Sequence, residues 1–426
     1  MAYSIRNNNV AISNKLCTWL IVLAPLFDAY SILGSTLLST VLVALVSTYI
    51  YIISKVKHFE LPKGYIYFLL YGLSVPVLNS MFSFIDVNIK SSFISILYYS
   101  LCFGILMPFV KLDYFLKCYK IVVYIAFATF ILQELCFFMT GYRFSALIPY
   151  LTIRYASTDM ESFIEGQRLL GRSSSLFLEP AHFVQYTIPF LILQLGEAYR
   201  RRKLVYMPAI IATFIIFLSK SGNAILLLAL VWIFFFVKYK MHILLKVSLL
   251  IPLVSICALF MFDVVAKTDF GKDLLERQQE LEVGKTKWVS SGNIRISRGF
   301  LVFSEESAKD KLIGVGTGGT ENIVEQSSYY WMFRNETYMN LAQSLLIGYG
   351  IIGTILFLIH ILLLLRINTF EGRGVIVVFI GLAFIEAFLF SSKMLLYTAF
   401  AYQFQKSLSN TDSNPIHSKN DYTYLQ

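Results

Sequence analysis

The segment 338–365, YMNLAQSLLIGYGIIGTILFLIHILLLL, contains no Asp, Glu, Lys or Arg. An α-helix rises about 1.5 Å per residue, so a helix of this length can cross a hydrocarbon core about 30 Å thick. Similar apolar stretches recur along the 426-residue chain, which is 57% hydrophobic and 15% charged and has a mean hydropathy of +0.65. The sequence therefore predicts an all-α, polytopic transmembrane helical bundle.

The apolar stretches predict about twelve spanning helices in a single integral membrane domain, residues 1–426. Within 204–237, the turn Ser219-Lys220-Ser221-Gly222 predicts two short helices rather than one long helix. The last stretch is short and is also compatible with half of a re-entrant hairpin. The predicted spans lie near 16–33, 36–54, 64–84, 93–110, 118–139, 180–196, 204–218, 223–237, 244–262, 338–365, 375–391 and 394–405.

Lysine and arginine are distributed unevenly between the two sets of connecting segments. With the N-terminus placed in the cytoplasm, nineteen of them fall in the predicted cytoplasmic segments, which include a tail at 406–426. The short turns on the other side carry only Lys90, Lys220 and Lys393. Because cytoplasmic loops are enriched in Lys and Arg, this pattern predicts that both termini are cytoplasmic.

Two long segments, 140–179 and 263–337, are then predicted to lie on the outer face. The first contains four basic and four acidic residues, and 263–335 contains ten basic and eleven acidic residues. Long loops of this kind are usually functional or disordered. Within the second, 269–282 has helical apolar spacing, which fits an amphipathic helix on the membrane surface or a soluble helix that packs on the other loop.

The formal charge of +10 does not indicate nucleic-acid binding, because the basic residues lie in short clusters between apolar spans. The five cysteines all lie in or beside apolar spans, so neither a disulfide framework nor a zinc site is expected. No metal or other cofactor is predicted.

The first candidate site is the junction 171–183, GRSSSLFLEPAHF, which leads from the first outer loop into a helix. Pro180 suits a first helical turn, so Glu179 is placed at the helix N-terminus, where a carboxylate is favoured. The simplest reading makes Glu179 a cap and Arg172 its surface partner. His182, one turn into the helix, is more often a buried polar contact than a catalyst.

The second candidate site combines Arg295 and Arg298 with the glycine-rich turn Gly314–Gly319. Two arginines three residues apart share a helix face, and guanidinium groups suit phosphate oxygens. Closely spaced glycines can bring backbone N–H groups near an anion, but a flexible turn is the favoured reading of this cluster alone.

The third candidate site, 334–340, joins the second outer loop to the long apolar helix and contains Glu336, which is either a cap or a carboxylate presented at the membrane surface. Ionisable residues inside the predicted spans are functional hypotheses by default. They are Asp28, Glu134, His360 and Glu386, which are isolated and form no relay along one helix, so a proton-coupled transporter is not predicted.

Four segments in this order resemble the bacterial O-antigen polymerase (Wzy) family, within the O-antigen polymerase/ligase group. They are RSSSLFLEPAHF at 172–183, LSKSGNAIL at 218–226, IRISRGF through GVGTGG at 294–319, and NETYMNLAQSLLIGYGIIG at 335–353. The resemblance implies an inner-membrane enzyme with two large periplasmic loops. Its substrates would be undecaprenyl-pyrophosphate-linked repeat units, and its partners membrane lipid and a chain-length regulator protein.

The resemblance also implies residue roles. Arg298 and Arg295, with Arg172 next, would stabilise the pyrophosphate leaving group, and Glu179 or, as second choice, Glu336 would orient or deprotonate the acceptor hydroxyl. Lys220 stands where relatives often carry a basic residue after a Ser/Thr turn. The expected substrate-binding residues are Arg172, His182, Lys220, Gly314, Gly316, Asn335 and Tyr338.

Two alternatives stay open at the level of sequence. A ligase that transfers glycan to lipid A-core is disfavoured because Arg334-Asn335 stands where ligases of the group typically carry His-Asn. A polysaccharide flippase would usually have short loops and a polar central path, whereas the ionisable residues of this chain concentrate in the predicted outer loops.

Overall fold

The computed structural model describes residues 2–32, 36–53, 59–82, 89–153, 172–203, 206–239, 291–333 and 339–412. This part of the chain is mostly helical. One short antiparallel ladder pairs β1 (Ser31–Ile32) with β2 (Thr36–Leu37), with Ser31 opposite Leu37. The α-helices are α1 Ala2–Phe27, α2 Leu38–Ile53, α3 Lys63–Phe82, α4 Ile89–Leu106, α5 Leu112–Thr140, α6 Pro180–Arg200, α7 Met207–Leu218, α8 Gly222–Lys238, α9 Ser291–Glu305, α10 Ala308–Ile313, α11 Thr320–Gln326, α12 Leu341–Leu364, α13 Phe370–Ala383 and α14 Ser392–Asp412.

Among the described residues, three helical segments are long and apolar enough to cross a membrane: Ser92–Phe109, Leu112–Thr140 and Leu341–Leu364. Shorter apolar helices occupy Ser13–Phe27, Leu38–Ile53, Met207–Leu218 and Gly222–Lys238. The chain thus has the helical composition of a membrane protein. The predicted division of 204–237 into two helices is confirmed, because α7 ends at Leu218 and α8 begins at Gly222.

The predicted span 375–391 is wrong in its second half. Helix α13 ends at Ala383, and residues 384–391 are non-helical, with a positive φ of 57° at Phe390. Helix α14 then runs from Ser392 to Asp412, so it is longer than the predicted stretch 394–405 and extends into the predicted tail. The predicted span 244–262 and the predicted helix 269–282 lie outside the described residues.

Helices α6 and α14 form the centre of the bundle, since nearly every side chain of Phe183–Ala198 and Met394–Phe404 is buried. Aromatic rings join them to α5: the ring centroid of Phe400 lies 4.7 Å from that of Phe115 and 4.8 Å from that of Tyr119. Close packing of this kind, rather than transfer of apolar groups from water, holds helices together in lipid.

Contacts between distant segments define two ends of the bundle. At one end, which we call the site end, Asp28 after α1 accepts hydrogen bonds from Ser39 on α2 and Ser392 on α14. At the opposite end, Arg200 pairs with Glu371, and Lys406 pairs with Glu60 at 3.0 Å. Asp28 and Ser392, which border segments predicted to be outside, thus lie at the site end, whereas Arg200 and Lys406, which belong to segments predicted to be cytoplasmic, lie at the other.

Residues 291–333 form a separate small unit that docks on α12. Its own core comprises buried Val302, Val315, Ile323 and Val324 and also takes in Ile347 of α12. The attachment is a backbone interlock: the N–H of residue 315 donates to the carbonyl of residue 347 at 3.0 Å, and that of residue 316 to residue 348 at 2.7 Å.

The interlock is possible because α12 is broken. Gly350 adopts φ 62° and ψ −171°, which is not helical, and this break leaves carbonyls of the preceding turn for the docked unit to bind. Side chains of α3 and α4 bind the glycine-rich turn of the docked unit, at residues 313–318. They are Tyr71, whose hydroxyl donates to the Ile313 carbonyl, Asn79, which donates to the Gly314 carbonyl, and Ser92, whose hydroxyl accepts from the Gly318 N–H.

Candidate functional site

Four polar side chains from three segments meet at the site end of the bundle. Gln185 Nε2 donates to Glu386 Oε2 at 2.7 Å, and Lys393 Nζ lies 3.3 Å from Glu386 Oε1. Lys393 Nζ also donates to Gln185 Oε1 at 2.9 Å. His182 Nε2 lies 3.8 Å from Glu386 Oε1. We call these four residues the polar cluster.

Local structure explains why His182 and Gln185 point to the same place. The backbone of Glu179 is extended, with φ −135°, and Pro180 begins α6 directly after it. A proline is preorganised for the first helical position, so the helix start is well defined. His182 and Gln185 are three residues apart and therefore share one helix face.

Glu386 lies in the non-helical connection between α13 and α14, and Lys393 lies in the first turn of α14 directly after it. Non-helical backbone within a membrane-spanning bundle is tolerated where it is buried in protein or lines a cavity, since its polar groups need partners. Here the Leu341 N–H donates to the Glu386 carbonyl at 2.9 Å, and the Asn340 side chain donates to the Phe384 carbonyl at 2.8 Å. The start of α12 therefore supports the connection that carries Glu386.

The polar cluster contains a buried ion pair, in which the carboxylate of Glu386 faces the ammonium group of Lys393. The side chains of Glu386 and Lys393 are only 7% and 14% exposed, so each charge needs the other. A buried ion pair tolerates desolvation only when further hydrogen bonds satisfy its atoms, and Gln185 supplies one bond to each partner. The result is a fixed negative group beside the imidazole of His182.

The polar cluster opens on a small cleft with room for about one water molecule. Apolar groups form most of its wall, including Pro25 of α1, Phe177 just before α6 and Leu396 of α14. The side chain of His182 is 18% exposed, more than those of Glu386 and Lys393. His182 is thus the member of the polar cluster most accessible to a molecule at this end of the bundle.

Arg298 is fully buried, at 2% exposure, on α9 of the docked unit. The next residue, Gly299, packs on the side chain of Gln343, which forms a capping box with Asn340 at the start of α12. Because Asn340 and Leu341 also hold the connection that carries Glu386, α9 and the polar cluster are supported by the same helix start. Arg295 lies on α9 three residues before Arg298.

A second polar group, which the sequence did not predict, fastens the first outer segment. Arg143 donates through Nε and Nη2 to Glu134 at 3.3 Å, and through Nε to the Ser173 hydroxyl at 3.1 Å. Its guanidinium carbon lies 3.5 Å from the ring centroid of Phe137. These contacts tie Ser173, next to Arg172, to the end of α5.

The other predicted site residues lie in several places. Glu179 is the N-cap of α6, as expected from the sequence, but its side chain makes no capping hydrogen bond. Arg172 is half-buried just before Ser173. Lys220 lies in the α7–α8 turn with a positive φ of 52°. Asn335, Glu336 and Tyr338 lie outside the described residues.

Backbone conformation and internal hydrogen bonds explain the glycines of the turn 314–319. Gly314 and Gly316 have φ values of 85° and 78°, which favour glycine. The backbone N–H groups of residues 314–316, 318 and 319 all donate to groups of the protein itself. The turn therefore does not present these five donors to a phosphate, and the predicted role of Gly314 and Gly316 in substrate binding gains no geometric support.

Sequence reasoning missed how the polar cluster assembles. The prediction that Glu386 is an isolated ionisable residue within a span is wrong, because it contacts Gln185 and Lys393. Its partner Gln185 is 201 residues away and Lys393 lies beyond a helix end that periodicity did not reveal. A usable signal in the sequence is an acidic residue within a predicted span, Glu386, followed seven residues later by a lysine, Lys393.

Comparison of the chain with known protein families, with curated proteins and with solved structures finds no match. The functional argument therefore rests on the geometry and on the sequence motifs. In the described ranges, no group of three or more His, Cys, Asp or Glu residues is arranged to hold a metal ion.

Proposed function

We propose that this protein polymerises undecaprenyl-pyrophosphate-linked oligosaccharide repeat units into O-antigen or a related surface polysaccharide. The reaction would take place at the periplasmic face of a bacterial inner membrane. The observation that carries the proposal is the arrangement at the site end. There, a buried arginine on the docked unit and a carboxylate–imidazole contact in the bundle share the support of one helix start.

The reaction needs fixed positive charge. A glycan that leaves a lipid pyrophosphate transfers an electron pair to a phosphate oxygen, and preorganised donors stabilise that developing charge. Guanidinium groups suit this task because they stay charged and their donors match phosphate oxygens. Arg298 is the first candidate, with Arg295 on the same helix and Arg172 on the first outer segment as further ligands.

The reaction also needs a group that handles the proton of the acceptor hydroxyl. Glu179 and Glu336 are the carboxylates proposed from the sequence for this role. The structure describes Glu179 as a half-buried N-cap whose side chain does not cap the helix. Its carboxylate is therefore not committed to the helix N-terminus, which is compatible with a role toward substrate.

The proposed membrane topology has about twelve spans, both termini in the cytoplasm and the site end outside. The clustering of predicted cytoplasmic segments at the end that carries Arg200, Glu371 and Lys406 supports it. With this orientation, lipid-linked substrate in the outer leaflet reaches the polar cluster without crossing the membrane, and the proposed lipid partner surrounds the bundle.

The test is deletion of the gene followed by gel analysis of the surface glycan. We expect lipid A-core that carries a single repeat unit, because repeat units are made and attached but not polymerised. Bare core with lipid-linked polymer would indicate a ligase instead. Bare core with lipid-linked single units retained on the cytoplasmic side would indicate a flippase. Unchanged long chains would contradict all three functions.

A further inference from the structure

The contact between His182 and Glu386 has the form of a base held by a carboxylate. Glu386 faces the imidazole from a segment more than 200 residues away in sequence and is itself held from two sides. Catalytic bases are commonly oriented by a third group in this way, and their hydrogen bonds are often long before substrate binds. The 3.8 Å separation is therefore short enough for the pair to close.

Glu386 is poorly suited to take the proton itself. Oε2 accepts from Gln185 and Oε1 lies beside Lys393, so both oxygens are engaged within the protein. Its side chain is also less exposed than that of His182. A substrate hydroxyl that approaches the cleft therefore meets the imidazole more readily than the carboxylate.

We propose that His182, rather than Glu179 or Glu336, accepts the proton of the acceptor sugar hydroxyl and that Glu386 is the residue that positions it. This inference rests on the proposed glycosyl transfer. The acceptor oxygen forms a bond to the anomeric carbon of the donor glycan while the bond from that carbon to the pyrophosphate oxygen breaks. The electron pair of the broken bond stays on the pyrophosphate. The acceptor proton moves to the imidazole of His182, whose Nε2 faces Glu386 Oε1 at 3.8 Å.

Lys393 and Gln185 complete the arrangement. They hold the Glu386 side chain in place through a hydrogen bond and an ion pair, so that its carboxylate lies beside the positive charge that His182 gains when it takes the proton. In metal sites, a carboxylate that contacts the second nitrogen of a metal-bound imidazole likewise raises the basicity of the imidazole and selects its tautomer. Lys393 is thus a positioning residue, and its charge is balanced by Glu386 rather than presented to substrate.

The test uses membrane vesicles from cells that make the lipid-linked repeat units but lack the chromosomal copy of the gene. The full chain or a variant is supplied on a plasmid, and the readout is the rate of polymer formation from the accumulated lipid-linked units. His182→Ala is expected to lower the rate about 100-fold to 10,000-fold, the usual contribution of a general base. Added imidazole is expected to restore part of the rate, because it can occupy the space left by the side chain.

Two variants that differ in buried charge distinguish a positioning role of Glu386 from a merely structural role. Glu386→Gln leaves Lys393 buried without its counter-ion, whereas Glu386→Gln combined with Lys393→Gln leaves no buried charge. A positioning role predicts that both variants are slow, about tenfold to a hundredfold below the wild type. A merely structural role predicts that the double variant recovers. Glu371→Gln, which removes a buried ion-paired carboxylate at the opposite end, is the matched control and should stay active.

Each result has a definite meaning. Polymer formation by His182→Ala at nearly the wild-type rate would overturn the proposal, as would recovery of activity in the double variant. If His182→Ala is poorly inserted, His182→Gln, which keeps a polar side chain of similar size, takes its place, and a fully active His182→Gln would overturn it equally. Failure of wild-type vesicles to form polymer would instead contradict the proposed function, and the proton-acceptor assignment would fall with it.

Discussion

The backbone N–H of Gly316 donates to the carbonyl of Gly348 at 2.7 Å, which joins the docked unit directly to the broken turn of α12. The same two segments also approach closely at Gly314 and Gly350, where a Cβ on Gly314 would clash with the Gly350 nitrogen. The connection matters for function because α9, with Arg298, belongs to the docked unit, and α12 supports the segment that carries Glu386.

Replacement of Gly314 by alanine is expected to weaken this interlock. Gly314 has φ 85°, and a Cβ there would lie 2.5 Å from the backbone of Tyr349. We expect Gly314→Ala to lower the midpoint of thermal unfolding in detergent. Backbone strain alone costs about 1–3 kcal/mol of unfolding free energy, and the clash adds to that cost.

Gly141→Ala is the control for that strain. Gly141 has φ 68°, but a Cβ there would meet nothing within 4 Å. Only the conformational cost of about 1 kcal/mol is expected. Equal losses of stability in the two variants would show that the close approach to α12 does not matter.

The contact between Arg143 and Glu134 is expected to stabilise the site end measurably. A double-mutant cycle with Arg143→Met and Glu134→Gln should give a coupling energy of about 1 kcal/mol, since the guanidinium is only 7% exposed. The same cycle for Lys406 and Glu60, whose side chains are 35% and 37% exposed, should give about 0.5 kcal/mol or less. A larger coupling energy for Lys406 and Glu60 than for Arg143 and Glu134 would contradict the expectation that the buried contact is the stronger one.

The stability of the docked unit is expected to fall as pH rises. Burial and then the neighbouring carboxylate of Asp310 raise the pKa of Glu306 from its usual 4.5 to about 8. The folded state therefore holds a proton that the unfolded chain releases. The stabilisation is fully present below about pH 4.5 and is lost as pH rises through about 8.

Thermal unfolding of wild type and Glu306→Gln between pH 5 and pH 9 checks this expectation. The variant cannot ionise at this position, so its unfolding temperature should decline less over that range. Glu325→Gln, an exposed change of the same charge in the same unit, should keep the wild-type slope. Identical slopes in wild type and Glu306→Gln would show that Glu306 does not titrate in this window.

The orientation of the bundle can be tested by chemical labelling. In a cysteine-free background, Tyr150→Cys places a thiol at a position that is 94% exposed in the first predicted outer segment. A membrane-impermeant maleimide should label it in intact spheroplasts. Arg202→Cys, exposed at the other end, should be labelled only after the membrane is opened. The reverse pattern would invert the proposed topology and place the polar cluster in the cytoplasm.

Much of the helical layout could be predicted because apolar length and turn chemistry are local properties. The polar turn after Leu218 marked the division between α7 and α8, and Pro180 marked the start of α6. The break after Ala383 could not be predicted in this way. Residues 384–391 are apolar enough to resemble a helix, and what makes them irregular is tertiary: Asn340 and Leu341 bind carbonyls of this connection.

The candidate site was predicted only in part for a similar reason. Glu179 and His182 could be predicted because a motif surrounds them. Glu386, the partner of His182, lies more than 200 residues away in the sequence, so no local pattern connects the two. The glycine-rich turn shows the opposite case. Its pattern favours a flexible turn, with an anion site as the alternative, whereas the fold engages its backbone N–H groups within the protein, two of them with carbonyls of the broken turn of α12. A local pattern cannot tell these two uses of a backbone donor apart.

The most direct measurement of the central claim is elongation by the purified full-length chain in lipid vesicles supplied with undecaprenyl-pyrophosphate-linked repeat units. The account predicts that the wild-type chain produces a ladder of lipid-linked polymers with no nucleotide sugar added. It also predicts that Arg298→Ala, inserted at the same level, leaves only single units, because the pyrophosphate loses its proposed stabilising charge. No elongation by the wild-type chain, or a full ladder from Arg298→Ala, would contradict it.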